Sequence, residues 1–412
     1  MMRTLWDSLQ VLVLLTLTAG TAAQTSSASC QAKATAAPPQ TNLTNVKTAY
    51  TSVPNSPFQI VYASKQKDIA FVTLAHTFAN STLGVLNTST FAPTLIHQVA
   101  LPESYINHEG ANGLALSHDG RYIFIAAGQG AVVLDAARAA AGKPNAVVGT
   151  LNGTTASQNP GNASIQITVT KNNSYAFVSQ EYGPSGGRLP GNVDVFKLIT
   201  HHNGNISGVA LGSLNLGFEV VATVLSPDDR ILYATSEGSD YRSTTTGFIS
   251  VIDVETLVAN PSNSNAILSN VTAACGPVRA LVSSDGTIVW VSARESDEIL
   301  AFNATKMITN PANALIASVQ VGTAPIDLAF VRNGSQILTA DSNRFNSTGA
   351  TSGVSVVDVK AALKGSASAV LGRVPTGLFA REIALSPDGE RVLISDYESG
   401  QIQAIDVASL PQ

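Results

Sequence analysis

The chain has 412 residues, a formal net charge of −5 at pH 7, and only 12% charged residues. Ordinary soluble domains carry about 25% charged residues, and the cations here form no basic stripe, which excludes nucleic acid as an expected partner. The six histidines lack an HExxH spacing, and two cysteines cannot build a zinc site alone. We therefore expect neither a metal nor a cofactor.

The N-terminal segment has the pattern of a secretory signal peptide. Arg3 precedes an apolar run over 11–17, and small residues then lead to a cleavage point before Gln24. The run is too short to span a bilayer as a helix, and no second run of spanning length follows. We predict a signal peptide over 1–23, no membrane span, and a secreted protein, extracellular or in the cell wall.

Asn-x-Ser/Thr acceptors for N-glycans are spread over the whole chain, which is typical of a eukaryotic secretory route. The predicted acceptors are Asn42, Asn80, Asn87, Asn152, Asn162, Asn172, Asn205, Asn270, Asn303, Asn333 and Asn346. Glycans at these positions would supply surface hydration that the few charged residues do not.

The two cysteines, Cys30 and Cys275, follow the predicted signal peptide. In an oxidising compartment we expect them to form a disulfide, and one free thiol beside one tail cysteine is the alternative. Residues 24–41 are rich in Ala, Thr, Ser, Gln and Pro without apolar periodicity, which predicts a disordered leader. The remaining domain, 42–412, exceeds the usual size of a single core unless the fold is built from repeats.

A repeated unit of three apolar strands is the strongest pattern in the chain. In its last copy a strand ends in the turn Ser386 to Gly389, a second strand starts at Arg391, and a third ends at Val407. Proline and glycine suit this turn because they preset and accept its φ angles. The equivalent turn positions lie roughly 50 to 57 residues apart, near Lys65, Ser117, Thr170, Ser226, Ser283, Arg332 and Ser386.

Each interval also contains a fourth short strand, such as Ser318 to Val321 or Val370 to Val374. Four antiparallel strands per repeat, seven times over, predict an all-β, seven-bladed β-propeller. The last repeat stops after its third strand, and the stretch Leu43 to Val53 has no other assigned role. We predict that this N-terminal stretch pairs as the fourth strand of the last blade, because that pairing closes the ring and removes two exposed edges.

These repeats resemble the YVTN-type, lactonase-like seven-bladed propellers over nearly the whole mature chain. The resemblance rests on the Ser386 to Gly389 turn, on strands that begin at Tyr122 and Tyr233, and on Val354 to Val359. The chain is also similar to secreted fungal proteins described as 3-carboxymuconate cyclase-like. This resemblance implies the propeller fold, in a group with muconate-cycloisomerising and phosphogluconolactone-hydrolysing enzymes and also surface and binding proteins. It transfers no catalytic residue, because the shared residues are turn formers and strand apolars.

Propeller topology brings the starts of the first strands and the ends of the second strands to one mouth of the central channel. The predicted ligand-binding residues there are Gln166, Glu219, Arg279, Arg294, Asp327, Asp341, Arg344, Arg381 and Glu382. Further polar residues at equivalent positions are His76, Glu181, Glu237, Glu295, Asp396 and Tyr397, with His108 and Glu109 in a nearby loop. Arginine pairs bidentately with carboxylate or phosphate, so this mouth is predicted to take an anionic molecule.

Two functions fit this pattern. A binding propeller, expected to be a monomer, would recognise a small anionic molecule, a glycan or a protein at the mouth. A lactonase or muconate-type cycloisomerase would act there on a carboxylated substrate, with Arg279, Glu382 and His108 as catalytic candidates. Arginines and a histidine gathered around one cavity would favour the enzyme, whereas charges paired between blades would favour binding.

A third reading is a metal-dependent lactonase, which would need a cage of oxygen ligands inside the channel. The candidates for such a cage are Asn112, Glu219, Asp327 and Glu382. For every residue at the mouth the alternative is structural, because charges at strand ends are often solvated or pin adjacent blades together.

Overall fold

The computed structural model describes residues 30, 37, 40–75, 81–103, 110–128, 130–153, 163–183, 189–240 and 245–412. The predicted signal peptide and most of the leader lie outside these residues. Seven sheets of four antiparallel strands form the blades of a β-propeller, which confirms the predicted fold.

The first four blades follow the chain order, after a short N-terminal strand, β1 (Thr48–Ser52). Blade 1 contains β2 (Ser56–Tyr62), β3 (Ile69–Ala75), β4 (Thr82–Asn87) and β5 (Thr94–Ala100), and blade 2 contains β6 (Ala111–Leu116), β7 (Tyr122–Ala127), β8 (Gly130–Asp135) and β9 (Val147–Asn152). Blade 3 contains β10 (Ser164–Val169), β11 (Tyr175–Gln180), β12 (Asn192–Thr200) and β13 (Ile206–Asn215), and blade 4 contains β14 (Phe218–Leu225), β15 (Ile231–Gly238), β16 (Phe248–Asp253) and β17 (Ile267–Thr272).

The last three blades complete the ring. Blade 5 contains β18 (Pro277–Val282), β19 (Ile288–Ala293), β20 (Glu298–Asn303) and β21 (Leu315–Gln320), and blade 6 contains β22 (Pro325–Val331), β23 (Gln336–Asp341), β24 (Gly353–Asp358) and β25 (Val370–Pro375). Blade 7 contains β26 (Ala380–Leu385), β27 (Arg391–Asp396) and β28 (Gln401–Asp406), together with β1.

The ring closes through β1, as the sequence predicts. This strand pairs antiparallel with β28, in a register that runs from Thr48 opposite Ile405 to Ser52 opposite Gln401. The outermost strand of blade 7 therefore comes from the N-terminus and its other three strands come from the C-terminus. Lys47 adds an ion pair beside the seam, with Nζ 3.6 Å from an Asp406 carboxylate oxygen.

Short helices follow the third strand in four blades: α1 (Ala136–Ala140), α2 (Val254–Ala259), α3 (Ala304–Thr309) and α4 (Val359–Leu363). Each begins after an Asp or Asn whose side chain accepts a hydrogen bond from a backbone N–H in the first turn. The recurrent acidic residue that ends the third strand, such as Asp253 or Asp358, is thus an N-cap.

The turn between the first and second strands is held by its own side chains. In blade 7 the Ser386 hydroxyl donates to an Asp388 carboxylate oxygen and accepts from the Arg391 backbone N–H at 2.9 Å. Blades 2, 4 and 5 repeat this arrangement. The Ser-x-Asp motif is therefore a turn former, on the face of the propeller opposite the predicted mouth.

A β-bulge in each innermost strand shapes the channel. In blade 7 the register skips from Ala380 to Ile383, which leaves Arg381 and Glu382 outside the regular ladder. The Ser395 hydroxyl holds this bulge, because it accepts from the Glu382 N–H at 3.1 Å and donates to a carbonyl of blade 1 at 2.8 Å. Thr73 and Ser292 make the same pair of bonds in their blades. The bulges therefore leave one or two residues of each innermost strand outside the ladder, beside the channel.

The apolar core is divided among the spaces between adjacent blades. One cluster joins Phe71 and Leu83 of blade 1 to Ile123 and Ile125 of blade 2, all fully buried. Equivalent clusters fill the other spaces, so the inner strands of each blade are apolar on both faces. This double burial explains why the strands read as nearly continuous apolar runs rather than as alternating ones.

Four leader residues are described, namely Cys30, Ala37, Gln40 and Thr41, and each is held by a contact with the propeller. Cys30 forms a disulfide with Cys275 at the start of blade 5. Ala37 N–H donates to the Thr323 hydroxyl at 2.9 Å, and the Gln40 side chain accepts from Ser355 at 2.8 Å. Cys30 and Ala37 are buried, so the disorder predicted for 24–41 does not describe these positions.

Candidate functional site

Five blades have a residue in the left-handed conformation at one equivalent place near the start of the innermost strand. These residues are Gly110, Glu219, Gly276, Ala324 and Phe379. Glu219 (φ 54°) and Phe379 (φ 59°) carry large side chains where the other blades have glycine or alanine. The left-handed region costs a residue with a side chain about 1–2 kcal/mol, so two bulky residues there mark the mouth as a candidate site.

The Arg381 guanidinium lies in an aromatic setting at the mouth. Its Cζ is 3.6 Å from the ring centroid of Phe58, 5.5 Å from that of Tyr397 and 5.6 Å from that of Phe379. It forms no hydrogen bond or ion pair with the described residues. Burial lowers the pKa of Arg381 to about 9, with the nearby Glu382 opposing the shift, so the side chain is a cation at neutral pH.

An apolar ring surrounds the channel at the same level. It is built by Ala163, Ile165, Val221, Val278, Ile326 and Phe379, with Tyr182 and Tyr397 packed against it. Four of these residues come from the innermost strands β10, β14, β18 and β22. Blades 3 to 7 thus pack buried apolar side chains against one another at the channel, next to the cation of Arg381.

A charged layer lies one residue further along the innermost strands. Arg279 Nη2 is 2.6 Å from Glu382 Oε1, and Arg279 Nη1 donates to the carbonyl of Val221 at 2.8 Å. Asp327 accepts from the backbone N–H of Ile383 at 2.8 Å. Burial, reinforced by the charge of Glu382, raises the pKa of Asp327 to about 8. The Asp327 carboxyl is therefore mostly protonated at neutral pH.

The equivalent glutamines in this layer join adjacent blades. Gln166 Oε1 accepts from the backbone N–H of Thr223 in blade 4 at 2.9 Å. Gln59 Oε1 accepts from Leu114 of blade 2 at 2.8 Å. Asp327 makes the same bond from blade 6 to blade 7. Gln166, predicted as a ligand contact, thus has an inter-blade bond of its own.

Four glutamates lie together on the side of blades 3 to 5. Arg294 forms a buried ion pair with Glu237, lies 3.8 Å from Glu295, and faces the Phe345 ring at 5.5 Å. Burial and the charge of Glu237 raise the pKa of Glu181 to about 7, and Glu219 adds to the shift. Acidic groups therefore outnumber cations on this side.

The remaining candidates are dispersed. Asp341 is fully buried within blade 6, where it accepts from Thr339 and from Ser355, and burial raises its pKa to about 6. Arg344 is exposed at the rim. Asp396 is fully buried in blade 7. His76, His108 and Glu109 lie outside the described residues.

No metal cage is found among the described ranges, in which no three His, Cys, Asp or Glu side chains are grouped to hold an ion. The Asn112 amide donates to the carbonyl of Ser164 at 2.9 Å, which links blades 2 and 3. The described histidines are exposed: His97 lies on an outermost strand, His118 in a turn, and His201 and His202 at a hairpin. For the part of the chain that is described, no helix is both long and apolar enough to cross a bilayer.

Most described N-glycan acceptors are accessible. The exposed ones are Asn42, Asn152, Asn172, Asn205, Asn270, Asn333 and Asn346. Asn87 and Asn303 are half-buried, and Asn303 also caps α3. Asn80 and Asn162 lie outside the described residues.

Comparisons with known proteins support the fold alone. No protein-family model matches the chain, and no curated protein matches it. Among solved structures it is similar to a chain of Kuenenia stuttgartiensis hydrazine synthase, with a TM-score of 0.63, 15% identity, and coverage of 87% of this chain and 97% of that one. It is also similar to a chain in a crystal structure of the mitotic checkpoint complex, with a TM-score of 0.62, 13% identity, and coverage of 87% and 93%.

Sequence reasoning missed the aromatic part of the mouth. Phe58, Phe379 and Tyr182 lie beside the charged residues but look like core residues in the sequence. A usable signal was their position, because each adjoins the start of a first strand or the end of a second strand.

Proposed function

We propose that this protein is an extracellular, N-glycosylated binding propeller that takes a small anionic molecule at the mouth of its central channel. The observation that carries the proposal is the Arg381 guanidinium, which is partly desolvated, stacked on Phe58 and without an ion pair among the described residues. A cation in such a place gains a charge-assisted, bidentate bond when an anion binds.

The pairing of the other arginines favours binding over catalysis. Arg279 is neutralised by Glu382 of blade 7, and Arg294 by Glu237 of blade 4. Each pair joins two different blades, so these charges stabilise the ring. An arginine already held by a carboxylate is poorly placed to stabilise the oxyanion that lactone opening develops.

The test is titration calorimetry of the secreted protein with small carboxylates and inorganic phosphate. We expect binding to wild type, at least tenfold weaker binding to Arg381→Gln, and partial retention in Arg381→Lys, which keeps the charge but loses the planar fork. Arg121→Gln is the matched control, because Arg121 is exposed beside the turn of blade 2. Equal affinities of wild type and Arg381→Gln would refute the proposal.

Two further measurements address the rest of the proposal. The secreted protein should start near Gln24 and lose mass on enzymatic removal of N-glycans. It should not hydrolyse muconolactone-type or sugar lactones in a pH-stat assay. Turnover that disappears in Arg279→Ala would support the lactonase instead.

A further inference from the structure

We infer that a groove on the outer side of the ring, between blades 4 and 5, binds a small amphiphilic cation, namely an apolar molecule with one ammonium group. The site is separate from the channel mouth, so it goes beyond the proposed function. The groove lies beside the outermost strands β17 and β21 and contains a cavity of about 610 Å³. Pockets that hold small molecules have volumes of about 300–1,000 Å³ and are mostly apolar, with a few polar groups that orient the ligand.

The floor of the groove is formed by buried apolar side chains. Val271 of β17 lines it together with Leu300 and Phe302 of β20, and all three belong to the apolar cluster between blades 4 and 5. Side chains two residues apart on a strand share one face, which places Leu300 and Phe302 together on the face of β20 toward blade 4. A ligand in this groove therefore meets apolar surface from both blades.

The open side of the groove is apolar as well. Pro311 and Leu315 line it, and Leu315 is 53% exposed. Ile316 follows in the same strand and is also exposed. Exposed leucine and isoleucine beside a cavity indicate a binding surface, because a ligand with an apolar body would remove this surface from water.

A single carboxylate gives the groove its polarity. Glu298 lies on the same face of β20 as Leu300 and Phe302, about 13 Å along the strand from Phe302. Its Oε2 atom accepts a hydrogen bond from the Ser318 hydroxyl, which leaves the negative charge of the carboxylate in place. Among the described residues that line the groove, no other residue is charged. A cation therefore complements this end of the groove, whereas an anion meets like charge there.

The predicted glycan at Asn270 would leave the groove open. Asn270 borders the cavity, but side chains alternate along β17, so its side chain lies on the opposite face of the strand from Val271. The Ser250 hydroxyl donates to Asn270 Oδ1 at 2.7 Å and holds the side chain on that face. A sugar attached to Asn270 therefore extends away from the floor of the groove.

The experiment compares three probes of one chain length, n-octylammonium, 1-octanol and octanoate, by titration calorimetry at pH 7. The probes are titrated into Arg381→Gln, which removes the anion site proposed at the mouth, and n-octylammonium also into wild type. We expect n-octylammonium to bind about tenfold more tightly than octanoate, and with the same affinity in both proteins. Added salt should weaken n-octylammonium and leave 1-octanol unchanged. Octanoate that binds Arg381→Gln as tightly as n-octylammonium, or n-octylammonium that does not bind, would overturn the inference and leave the proposed function standing.

Two variants assign the binding to this groove. Glu298→Gln keeps the size of the side chain and removes its charge, so it should weaken n-octylammonium about fivefold and leave 1-octanol unchanged. Leu315→Asn should weaken both probes, because it removes apolar surface from the open side. The matched control is Glu255→Gln, since Glu255 is an exposed glutamate of blade 4 that lies in α2 and not in the groove. An n-octylammonium affinity that is unchanged in either Glu298→Gln or Leu315→Asn would overturn the inference.

Discussion

Arg279 and Glu382 form an ion pair between two blades that are not neighbours. Arg279 lies on the innermost strand of blade 5 and Glu382 on that of blade 7, yet their Nη2 and Oε1 atoms are 2.6 Å apart. Both side chains are almost fully buried, with exposed fractions of 4% and 1%. The pair therefore passes blade 6 on the channel side and adds a charged contact to the apolar cluster that Val278 of blade 5 and Phe379 of blade 7 share.

Removing one partner of this pair should destabilise the protein strongly. Arg279→Met leaves Glu382 as a buried, unpaired carboxylate, and such changes cost about 3–5 kcal/mol. The free energy of unfolding from urea titration measures the loss. Arg344→Met, at an exposed arginine of the same mouth, should change it by less than about 0.5 kcal/mol.

The double variant Arg279→Met/Glu382→Leu provides the decisive comparison. It removes both charges, so we expect it to recover most of the stability lost in Arg279→Met. Glu382→Leu alone is measured as well. If the losses of unfolding free energy in Arg279→Met and Glu382→Leu simply add in the double variant, the two side chains do not act as a pair.

Deleting Leu43 to Val53 should destabilise the whole domain rather than one blade. The deletion removes β1 and exposes the edge of β28, together with apolar surface of the cluster that includes Val53. We expect calorimetry to show one unfolding transition of the whole domain at a lower temperature. A chain that begins at Cys30 and keeps β1 is the control and should melt like the mature protein. Unchanged melting of the deletion variant would show that β1 does not close the ring.

Asp396 should make stability fall as the pH rises. Burial raises its pKa to about 7, against the hydrogen bond from the backbone N–H of Gly377. A carboxyl with a raised pKa costs nothing while it is protonated in both states, and it destabilises the fold as the pH rises from its unfolded value of about 4 through 7. Asp396→Asn should therefore gain about 2–4 kcal/mol of unfolding free energy at pH 8 and little at pH 4.

Asp388 is a control for Asp396, because its pKa is shifted in the opposite direction and the pH dependence of stability should therefore be reversed. The Ser386 hydroxyl and the backbone N–H of Glu390 lower the pKa of this exposed turn carboxylate. Its contribution to stability is present above the unfolded pKa and is lost as the pH falls through the folded one. Asp388→Asn should lower the unfolding temperature at pH 7 and have little effect at low pH. Parallel pH profiles for Asp388→Asn and Asp396→Asn would contradict both assignments.

Reduction of the disulfide between Cys30 and Cys275 should lower the stability of the protein, because this bond ties the leader to the propeller. Cys30 and Cys275 are 245 residues apart, so the bond closes a long loop in the unfolded chain, and removal of such a bond costs about 2–5 kcal/mol. We expect a reducing agent to lower the urea midpoint of wild type and to leave Cys30→Ser/Cys275→Ser, which already has the lower midpoint, unaffected. A reductant effect of equal size in the double variant would indicate another cause.

The repeat made the architecture predictable from the sequence. Turn residues such as Ser386 and Asp388 have a local role that depends only on their neighbours, so their pattern marks the end of a strand wherever it occurs. The missing fourth strand of blade 7 also predicted β1, because a closed ring leaves no unpaired edge.

The site was predictable only to the level of the mouth. Topology alone brings Arg381 and Glu219 to one end of the channel, but it does not say which cation is already neutralised. That depends on Glu382 reaching past blade 6 to Arg279, a contact between residues 103 positions apart. The left-handed conformation of Phe379 likewise belongs to the folded ring. The sequence does not indicate it, because phenylalanine is not a residue type that favours positive φ.

The disulfide also determines how the ring bears mechanical load. Cys275 belongs to blade 5, whereas the chain between Cys30 and β1 passes blade 6 before it reaches the seam in blade 7. A pull on the chain before Cys30 is therefore transmitted through the covalent bond to blade 5. The hydrogen bonds between β1 and β28 stay out of the path of the force, so the closing strand is protected from being pulled off the ring when the protein is held by its N-terminus.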